Sequence, residues 1–421
     1  MRLALFHNLP SGGAKRHTYE QVRELTRRGH EVVEFAPSSA ELAYCSFAPY
    51  VSQQRIFDFA PGPQLQSRIP LLTPYVHAVQ GLKILRRTER LNQRVAKEID
   101  QGNFDLVFVK DCQITMNPYV LRYLTSPAVF QCHHGVRHRL ERAGAHGSHN
   151  RSRLEKLKRS YYAPAKIFYQ RKFDQDELQN VQSAAVVLTN SKFSTQLLAE
   201  YYRVNSKVVY PGIDTNLFKP QPVAKLDYVL AVGALIYSKG YRFLISALAH
   251  IDISRRPKLF IAANSSSPKE EQVVREMAAK LGVELHIERI MDDHRLVQVY
   301  NQALAFVYAP LQEALGMAPL EAMACGTPVV AVAEGGVRET VLDGVTGWTV
   351  ERDTELFAER LETLLSDEQT RRGMGQAGPD YIRDNWTWQS AVNSLEDEFE
   401  LVISAQPNNI FLGSLEGKVN R

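Results

Sequence analysis

The sequence predicts an α/β protein of two domains, each built on a parallel β-sheet, that face each other across a cleft. Short, almost continuously apolar segments occur in two series, separated by stretches long enough for helical crossovers. Parallel strands that helices cover on both faces show such continuous apolar runs. The chain has 421 residues, more than one ordinary core accommodates. A proline- and glycine-containing segment, 211–220, lies between the two series and suits a linker.

Each series predicts one Rossmann-like domain. The predicted strands of the first series are 3–6, 31–35, 106–109, 128–131, 184–188 and 207–210, and those of the second are 228–232, 258–262, 284–287, 304–308 and 328–332. We place the first domain at residues 1–220 and the second at 221–385. A helical pattern follows over 386–403, and residues 404–421 are expected to form a loosely ordered tail.

The composition is that of a soluble globular protein, with 44% hydrophobic and 23% charged residues. The longest apolar runs, such as 228–235, are far shorter than a membrane-spanning helix. Residues 1–7 lead into a polar loop at Ser11, so we interpret them as a first strand and not as a signal peptide. We therefore expect a cytoplasmic protein.

The four cysteines, Cys45, Cys112, Cys132 and Cys325, lie far apart in the sequence. Their spacing matches neither a metal-ligand pair nor a disulfide framework, so we expect buried thiols in a reducing compartment. An Asp-x-Asp metal motif at a strand end is also lacking. The sequence therefore predicts neither a metal site nor a cofactor.

The charge is distributed unevenly along the chain. Residues 1–222 carry 31 Lys and Arg against 18 Asp and Glu, whereas the remainder carries 19 against 28. The densest stretch, 136–172, has eleven basic residues against two acidic ones, with four aromatic residues between them. Such a patch favours an anionic membrane surface, where each basic side chain gains about 1 kcal/mol, or a phosphorylated acceptor. Nucleic acid is the least favoured partner, because zinc-finger and RRM signatures are lacking. A solvated surface without a partner stays an alternative.

Two glutamates, Glu313 and Glu321, stand eight positions apart in the most informative segment of the chain. This segment follows a predicted strand, passes through Gly316 and enters a short helical pattern, 320–324. Unpaired N–H groups at a helix start bind anionic or polar groups of a ligand. Because carboxylates accept hydrogen bonds from hydroxyls, the pair points to a sugar.

This segment resembles the E-x7-E signature of the family-four retaining glycosyltransferases, which have the GT-B architecture. The motifs that follow, 326–328, 335–339 and 343–347, keep the order and spacing of that family. The resemblance covers essentially the whole chain and is most specific over 239–347. It implies transfer of a sugar from a nucleotide diphosphate sugar to an acceptor hydroxyl, with retention of anomeric configuration.

The resemblance assigns the donor site residue by residue. It implies that Glu313 contacts the hydroxyls of the donor sugar, that Glu321 contacts the nucleotide ribose, and that the backbone of Gly316 and Met317 binds the donor. It also implies that Lys239, next to a glycine in a loop after a strand, binds the diphosphate.

Two parts of the donor site are less well defined by the sequence. Family members commonly carry an arginine where this chain has Ala234, which removes one charge-assisted contact worth roughly 1.5–3 kcal/mol. Contacts to the nucleobase are expected near Arg289 and Ile290.

The first domain is expected to bind the acceptor. Gly12 and Gly13 follow the first strand, and the resemblance implies that this loop reaches the donor phosphate or the acceptor. A histidine-glycine step after a strand resembles the acceptor-side segment of the family, which His134 matches better than His133 and which places His134 close to the reacting sugar. Asp111 is a weaker acceptor-site candidate, and a turn or helix-cap role is the more common one for such a residue.

The resemblance thus assigns His134, Lys239 and Glu313 to the reaction, and it implies that the 386–403 helix crosses back to the first domain. The basic first half predicts an anionic or lipid-linked acceptor, such as a glycolipid or cell-envelope glycan precursor, and contact of 136–172 with the cytoplasmic face of a membrane. A small soluble acceptor stays open. The sequence also leaves room for a nucleotide-sugar epimerase and for a non-catalytic, basic membrane-binding module.

Overall fold

The computed structural model describes residues 1–62, 72–133, 153–290 and 292–405, with the main chain alone over 153–162. These residues divide into two compact units. The first unit consists of Met1–Thr189, Thr195–Val209 and the chain from Val392 onward, and the second consists of Asn190–Ser194 and Tyr210–Ala391.

The first unit contains one parallel sheet with helices between its strands. Within the described ranges its strands are β1 (Arg2–Asn8), β2 (Glu31–Pro37), β3 (Gln53–Phe57), β4 (Leu106–Cys112), β5 (Ala128–Cys132), β6 (Val186–Thr189) and β7 (Ser206–Val208). Its helices are α1 (Gly13–Arg27), α2 (Thr73–Asp100), α3 (Arg153–Gln182) and α4 (Lys192–Tyr202), the last of which begins in the second unit. The strand order is β3-β2-β1-β4-β5-β6-β7.

The second unit repeats this plan. Its strands are β8 (Tyr228–Val232), β9 (Lys258–Ala263), β10 (Leu285–Arg289), β11 (Ala305–Tyr308), β12 (Val329–Val332) and β13 (Gly347–Val350). Its helices are α5 (Tyr241–His250), α6 (Pro268–Leu281), α7 (Asp293–Gln302), α8 (Met317–Ala324), α9 (Thr354–Ser366), α10 (Glu368–Asn385) and the start of α11 (Trp388–Ser404). The strand order is β10-β9-β8-β11-β12-β13.

Both sheets have the strand order of a Rossmann fold, so the predicted pair of Rossmann-like domains is confirmed. In each sheet the chain starts in the middle, proceeds to one edge and then returns to continue toward the other. The connections that follow the neighbouring strands β1 and β4 therefore lead to opposite sides of the sheet, and the same holds for β8 and β11. Ligands of such folds bind at the carboxyl ends of these strands.

Burial on both faces of the sheets explains the continuous apolar runs in the sequence. In β1, Leu3 and Leu5 pack in the cluster on one face, while Ala4 and Phe6 pack in the cluster on the other. All four side chains are at most 1% exposed. Because both faces are covered, apolar residues do not alternate with polar ones.

The unit boundary falls before the predicted one at residue 220, since the chain passes to the second unit between Val209 and Tyr210. The segment 211–220 packs into the core of the second unit through Ile213 and Phe218, which are 4% and 3% exposed. This segment, despite its proline and glycine residues, is therefore a connection that packs against the second unit.

Two strands, β3 and β13, were not predicted from the sequence. Both lie at the edge of their sheets. In β3 the residues are mostly polar and at most half-buried, so the continuous apolar pattern is missing. β13 has four residues and begins at a glycine, which makes its sequence resemble a turn.

Helix α11 contributes to the core of the first unit from Val392 onward. Leu395 and Phe399 are fully buried in the cluster that also holds Phe108, and the two phenyl rings meet edge to face with their centroids 5.0 Å apart. His30 hydrogen bonds to Glu396 across 2.6 Å. The first unit therefore needs residues from both ends of the described chain.

We expect Phe399→Ala to lower the free energy of unfolding of the first unit by about 3–5 kcal/mol, because it leaves a cavity beside Phe108. The matched control is Leu401→Ala on the same helix, since Leu401 is 55% exposed and its substitution should change stability by about 0.5 kcal/mol or less. Urea unfolding followed by circular dichroism measures both. Equal shifts in the two variants would show that α11 does not belong to this core.

Candidate functional site

Two of the residues that the sequence assigns to the donor, Lys239 and Glu313, come together beyond the carboxyl ends of β8 and β11. The Nζ atom of Lys239 lies 2.5 Å from Oε2 of Glu313, and each side chain is less than one-fifth exposed. Lys239 ends a 3-10 turn, Tyr237–Lys239, that precedes α5. The next residue, Gly240, packs so closely on the end of β11 that a Cβ atom there would lie 1.8 Å from the carbonyl oxygen of Ala309. This contact explains the glycine and brings the two loops together.

The loop that carries Glu313 is backed by a second glycine-rich loop. The N–H of Gly336 donates to the carbonyl of Glu313 across 2.9 Å. A Cβ atom on Gly336 would lie 2.1 Å from the carbonyl oxygen of Ala314. The 335–339 motif therefore supports the main chain of the Glu313 loop.

Helix α8 begins directly after this loop. Gly316 is its N-cap, and no side chain of the described residues caps the first turn. Amides at an uncapped helix start carry partial positive charge and bind anions or polar ligand groups. Pro319, the third residue of the helix, has no N–H, so the first-turn donors come from Met317 and Ala318. The donor role of Gly316 and Met317 stays a prediction, with a local structure that suits it.

Glu321 lies on α8 and is 8% exposed. The hydroxyl of Tyr300, from α7, donates to its Oε2 atom across 2.8 Å. Burial, and secondly the charge of Glu321, raises the pKa of Tyr300 well above its ordinary value, so the tyrosine keeps its proton and orients the carboxylate. Tyr300 could not be recognised from the sequence, because no local pattern distinguishes it from a core tyrosine.

A second missed residue is Glu339, at the end of the 335–339 motif. Its carboxylate accepts hydrogen bonds from the N–H groups of Lys192 and Phe193, across 2.9 and 3.0 Å, and from the hydroxyl of Tyr210 across 2.7 Å. It thereby caps the start of α4 with a negative charge. The adjacent Ser191 donates to the carbonyl of Ala314 across 2.5 Å. The 190–194 turn is thus fixed to the Glu313 loop within the second unit.

Ala234 provides no cation toward this site, and the nearby Arg352 is already neutralised. The Arg352 guanidinium binds Glu334 through two contacts of 2.5 and 2.8 Å and donates to the carbonyl of Pro310 across 2.7 Å. It supports the end of β11. Lys239 is therefore the cation that the described residues place beside Glu313.

The predicted nucleobase residues lie at the end of β10, two strands away from β8 in the sheet. Arg289 is exposed and donates to Oγ of Ser266 across 2.6 Å. Ile290 is 8% exposed and packs in the apolar cluster of this unit. Their contact with a base stays a prediction.

In the first unit, Gly12 and Gly13 follow β1 at the corresponding point of the sheet. Gly12 is the N-cap of α1, and no side chain of the described residues caps this helix start either. The first turn also carries Lys15, which was not among the predicted site residues. Lys15 is fully buried, and its Nζ atom lies 3.4 Å from the centre of the Phe47 ring. Burial lowers its pKa to about 8, although Glu34 opposes the shift.

The acceptor candidate Asp111 lies at the carboxyl end of β4 and is buried. It accepts hydrogen bonds from the main-chain N–H of His133 across 2.9 Å and from Nδ1 of the same residue across 3.2 Å. Nε2 of His133 contacts Nδ1 of His17, from α1. Burial lowers the pKa of His17 well below its ordinary value. His134, the preferred histidine of the sequence analysis, lies outside the described residues.

Lys110, next to Asp111, is another buried cation that the sequence did not reveal. Its ammonium donates to Oε1 of Gln21 and of Gln131. Burial lowers its pKa well below the ordinary value. A lysine at the end of a strongly apolar strand was the only signal in the sequence.

Two family models match the chain. The family model described as Glycosyltransferase Family 4 matches residues 11–217, and the model described as Glycosyl transferases group 1 matches residues 213–381.

Two curated relatives match the chain over about half of its length. The GDP-mannose-dependent alpha-(1-6)-phosphatidylinositol monomannoside mannosyltransferase of Mycolicibacterium smegmatis is 32% identical over 230 residues, which cover 49% of this chain and 60% of the relative. The D-inositol 3-phosphate glycosyltransferase of Corynebacterium efficiens is 31% identical over 254 residues, covering 55% of this chain and 59% of the relative. The chain therefore aligns with less than two thirds of each relative.

Among solved structures, a sucrose-phosphate synthase from Thermosynechococcus elongatus has the same fold. Its TM-score is 0.71 at 18% sequence identity, and the superposition covers 96% of this chain and all of the other.

The buried Lys15 predicts a pH-dependent stability. The pKa of Lys15 is about 8 in the folded protein and about 10.4 in an unfolded chain. Burying its positive charge therefore lowers the free energy of unfolding, and this penalty has its full size below pH 8. The penalty disappears as the pH rises toward the unfolded value. We expect Lys15→Met to be more stable than the parent at pH 7, and this advantage to shrink between pH 8 and about 10.4.

Urea unfolding at several pH values measures this difference. Lys97→Met is the matched control, because Lys97 is exposed on α2, and its effect should not depend on pH in this window. A constant difference between Lys15→Met and the parent would contradict the assignment.

Proposed function

The chain belongs to the group 1 glycosyltransferases with the GT-B fold, and we propose that it is a retaining enzyme that transfers a sugar from a nucleotide diphosphate sugar to an acceptor hydroxyl. One observation carries the proposal. Lys239, Glu313 and the uncapped start of α8 converge at the carboxyl ends of β8 and β11. A cation, a carboxylate and free helix amides are the groups that a diphosphate sugar needs.

The proposed donor site has a positive charge for the diphosphate end of the ligand and a negative charge for its sugar end. The diphosphate binds Lys239 and the amides at the start of α8, which stabilise the negative charge that develops on the leaving group. The hydroxyls of the sugar donate to Glu313. Without a donor these two side chains neutralise each other across 2.5 Å. Donor binding therefore replaces this contact by two others, one between Lys239 and the diphosphate and one between Glu313 and the sugar.

Glu321 serves the nucleotide end in this proposal. Its carboxylate accepts from the ribose hydroxyls while Tyr300 holds it in position. Preorganisation by a buried hydrogen bond lowers the entropy that binding costs.

In the proposed reaction the bond between the anomeric carbon and the diphosphate oxygen breaks, and the acceptor oxygen bonds to the same face of that carbon. The acceptor hydroxyl gives its proton to the departing phosphate oxygen. This path retains the configuration and requires neither a protein nucleophile nor a metal. His134 is proposed to lie near the reacting sugar on the acceptor side.

We propose a glycolipid or lipid-linked glycan precursor as acceptor, with the protein on the cytoplasmic face of a membrane. The positive charge of residues 1–222 supports an anionic or membrane-borne acceptor. Helices α2 and α3 add an exposed apolar face, where Val79 and Phe168 are 51% and 66% exposed beside Lys83 and Lys172. Basic and apolar groups side by side suit an anionic lipid surface. The rest of the predicted basic stretch, up to residue 152, lies outside the described residues.

Membrane contact in this proposal is peripheral. No described helix combines the length and the apolar composition that crossing a bilayer requires. The names of the relatives support two acceptor classes, a phosphatidylinositol mannoside and a soluble inositol phosphate. Both acceptors are anionic, and a soluble phosphorylated acceptor is therefore the second candidate.

Nucleotide binding tests the donor site. We expect one of UDP, GDP or ADP, or a sugar conjugate of it, to bind saturably in isothermal titration. Lys239→Ala and Glu321→Ala should each weaken binding by about 1.5–3 kcal/mol, or roughly 10- to 150-fold, since each removes a charged partner. Lys280→Ala, a change at an exposed lysine of α6, is the control and should bind like the parent. If no nucleotide binds to the parent, the transferase proposal fails.

Vesicle binding tests the acceptor side. We expect the parent to sediment with vesicles rich in anionic phospholipid and not with zwitterionic ones. The double variant Phe168→Ser, Lys83→Ser should bind more weakly, because it loses about 1.5–3 kcal/mol of apolar transfer and about 1 kcal/mol of attraction to the lipid. Leu401→Ser, a change at another exposed apolar residue of this unit, is the control. Failure of the parent to bind anionic vesicles would favour the soluble phosphorylated acceptor.

A further inference from the structure

The second unit has a cavity at the amino ends of its strands, whereas the donor site lies at their carboxyl ends. Leu304 and Pro328, which directly precede β11 and β12, line it, whereas Lys239 and Glu313 follow the carboxyl ends of β8 and β11. Its volume is about 650 Å³, which lies within the range of small-molecule sites. Neither the proposed donor site nor the proposed acceptor site uses this cavity.

Two cations at this cavity, Lys225 and Arg371, form no ion pair with a carboxylate of the described residues. Lys225 is exposed as a residue, but its ammonium reaches inward to Oγ1 of the fully buried Thr327, across 3.2 Å. Arg371 donates to two main-chain carbonyls, those of Leu364 and Leu365. Within the described ranges no ion pair involves either cation. Burial, together with the repulsion from Arg371, lowers the pKa of Lys225 to about 8.

The acidic residue on the wall of the cavity does not neutralise these cations. Glu368 pairs with Arg372 across 2.6 Å, and both side chains are largely exposed. Their charges largely cancel. Asp367, at the start of the same helix, attracts Arg371 electrostatically but forms no ion pair with it, so the charge of Lys225 is uncompensated and that of Arg371 is only partly compensated. Holding two like charges together in a partly desolvated place costs free energy unless an anion joins them.

Much of the remaining wall of the cavity is apolar. Val223, Leu304 and Pro379 contribute to them, and the cavity is open to solvent on one side. A ligand with a charged group and a carbon skeleton matches this distribution of charge and apolar surface. Two adjacent cations match a dianion better than a monoanion.

We propose that this cavity binds a small dianion of the phosphate-monoester class, held by Lys225 and Arg371, at a site separate from the donor site. The phosphate group lies between the two cations, and the carbon part of the ligand packs on the apolar wall. Cys325 and Gly326, which follow the end of α8, also line the cavity. The start of the same helix faces the proposed donor site, so the two ligands contact opposite ends of one eight-residue helix.

Inorganic phosphate is the probe that tests this site. Titration calorimetry at constant ionic strength should show phosphate binding to the parent, and Lys225→Met should weaken it roughly tenfold or more, because one of two charged contacts is lost. Arg371→Gln should have a similar effect. The matched control is Arg372→Gln, on the same helix turn but paired with Glu368, which should leave the affinity unchanged within about twofold.

Two further measurements distinguish this site from the donor site and from a structural role. Lys239→Ala should bind phosphate as the parent does; loss of phosphate binding in this variant would place the anion in the donor site and overturn the proposal. Without phosphate, Lys225→Met should unfold at the same temperature as the parent or higher, because an uncompensated cation is removed. A lower unfolding temperature would make Lys225 a structural residue through its bond to Thr327. Equal phosphate affinity in the parent and Lys225→Met, or no binding to the parent, also refutes the site.

Discussion

The site of the second unit depends on one topological constraint, the divergence of the connections that follow β8 and β11. These strands are neighbours in a parallel sheet, but the next strands in the chain, β9 and β12, lie on opposite sides of them. Neither crossover covers the gap between the two carboxyl ends, so the loops that carry Lys239 and Glu313 meet there. Close main-chain contacts at Gly240 and Gly336 then fix the positions of these loops. The chemistry of the site follows from loop geometry that the sheet order imposes.

Three lysine side chains of the protein have different electrostatic environments. Lys239 has a carboxylate partner, which a ligand must share. Lys110 is buried but bound to two amide oxygens, so its environment is polar. Lys15 has an aromatic ring at close range, and no hydrogen-bond acceptor for its ammonium lies among the described residues. A paired cation is held in place before a ligand arrives, whereas a cation without an acceptor destabilises the ligand-free fold.

The fold could be predicted because it depends on local sequence, and continuous apolar runs identified the central strands. Lys239 and Glu313 were assigned to one donor site through the family resemblance of the short motifs that follow such strands. Tyr300 and Glu339 could not be predicted, since their roles arise from contacts with residues 21 and up to 147 positions away. The edge strand β3 was missed because its mostly polar residues leave no apolar run. The position of a side chain along the chain was predictable, but its partners were not.

The place of α11 has a consequence for how the chain is made. Leu395 and Phe399 complete a core whose strands begin at Arg2, and a ribosome adds them only after it has made 210–391, the main part of the second unit. Domains near the amino terminus ordinarily fold first during synthesis. Here the unit that is begun first can be finished only after the other one. Throughout that interval one face of its nascent sheet lacks one of its covering helices, so the growing chain presents an apolar surface to the chaperones of the cell until translation passes Phe399.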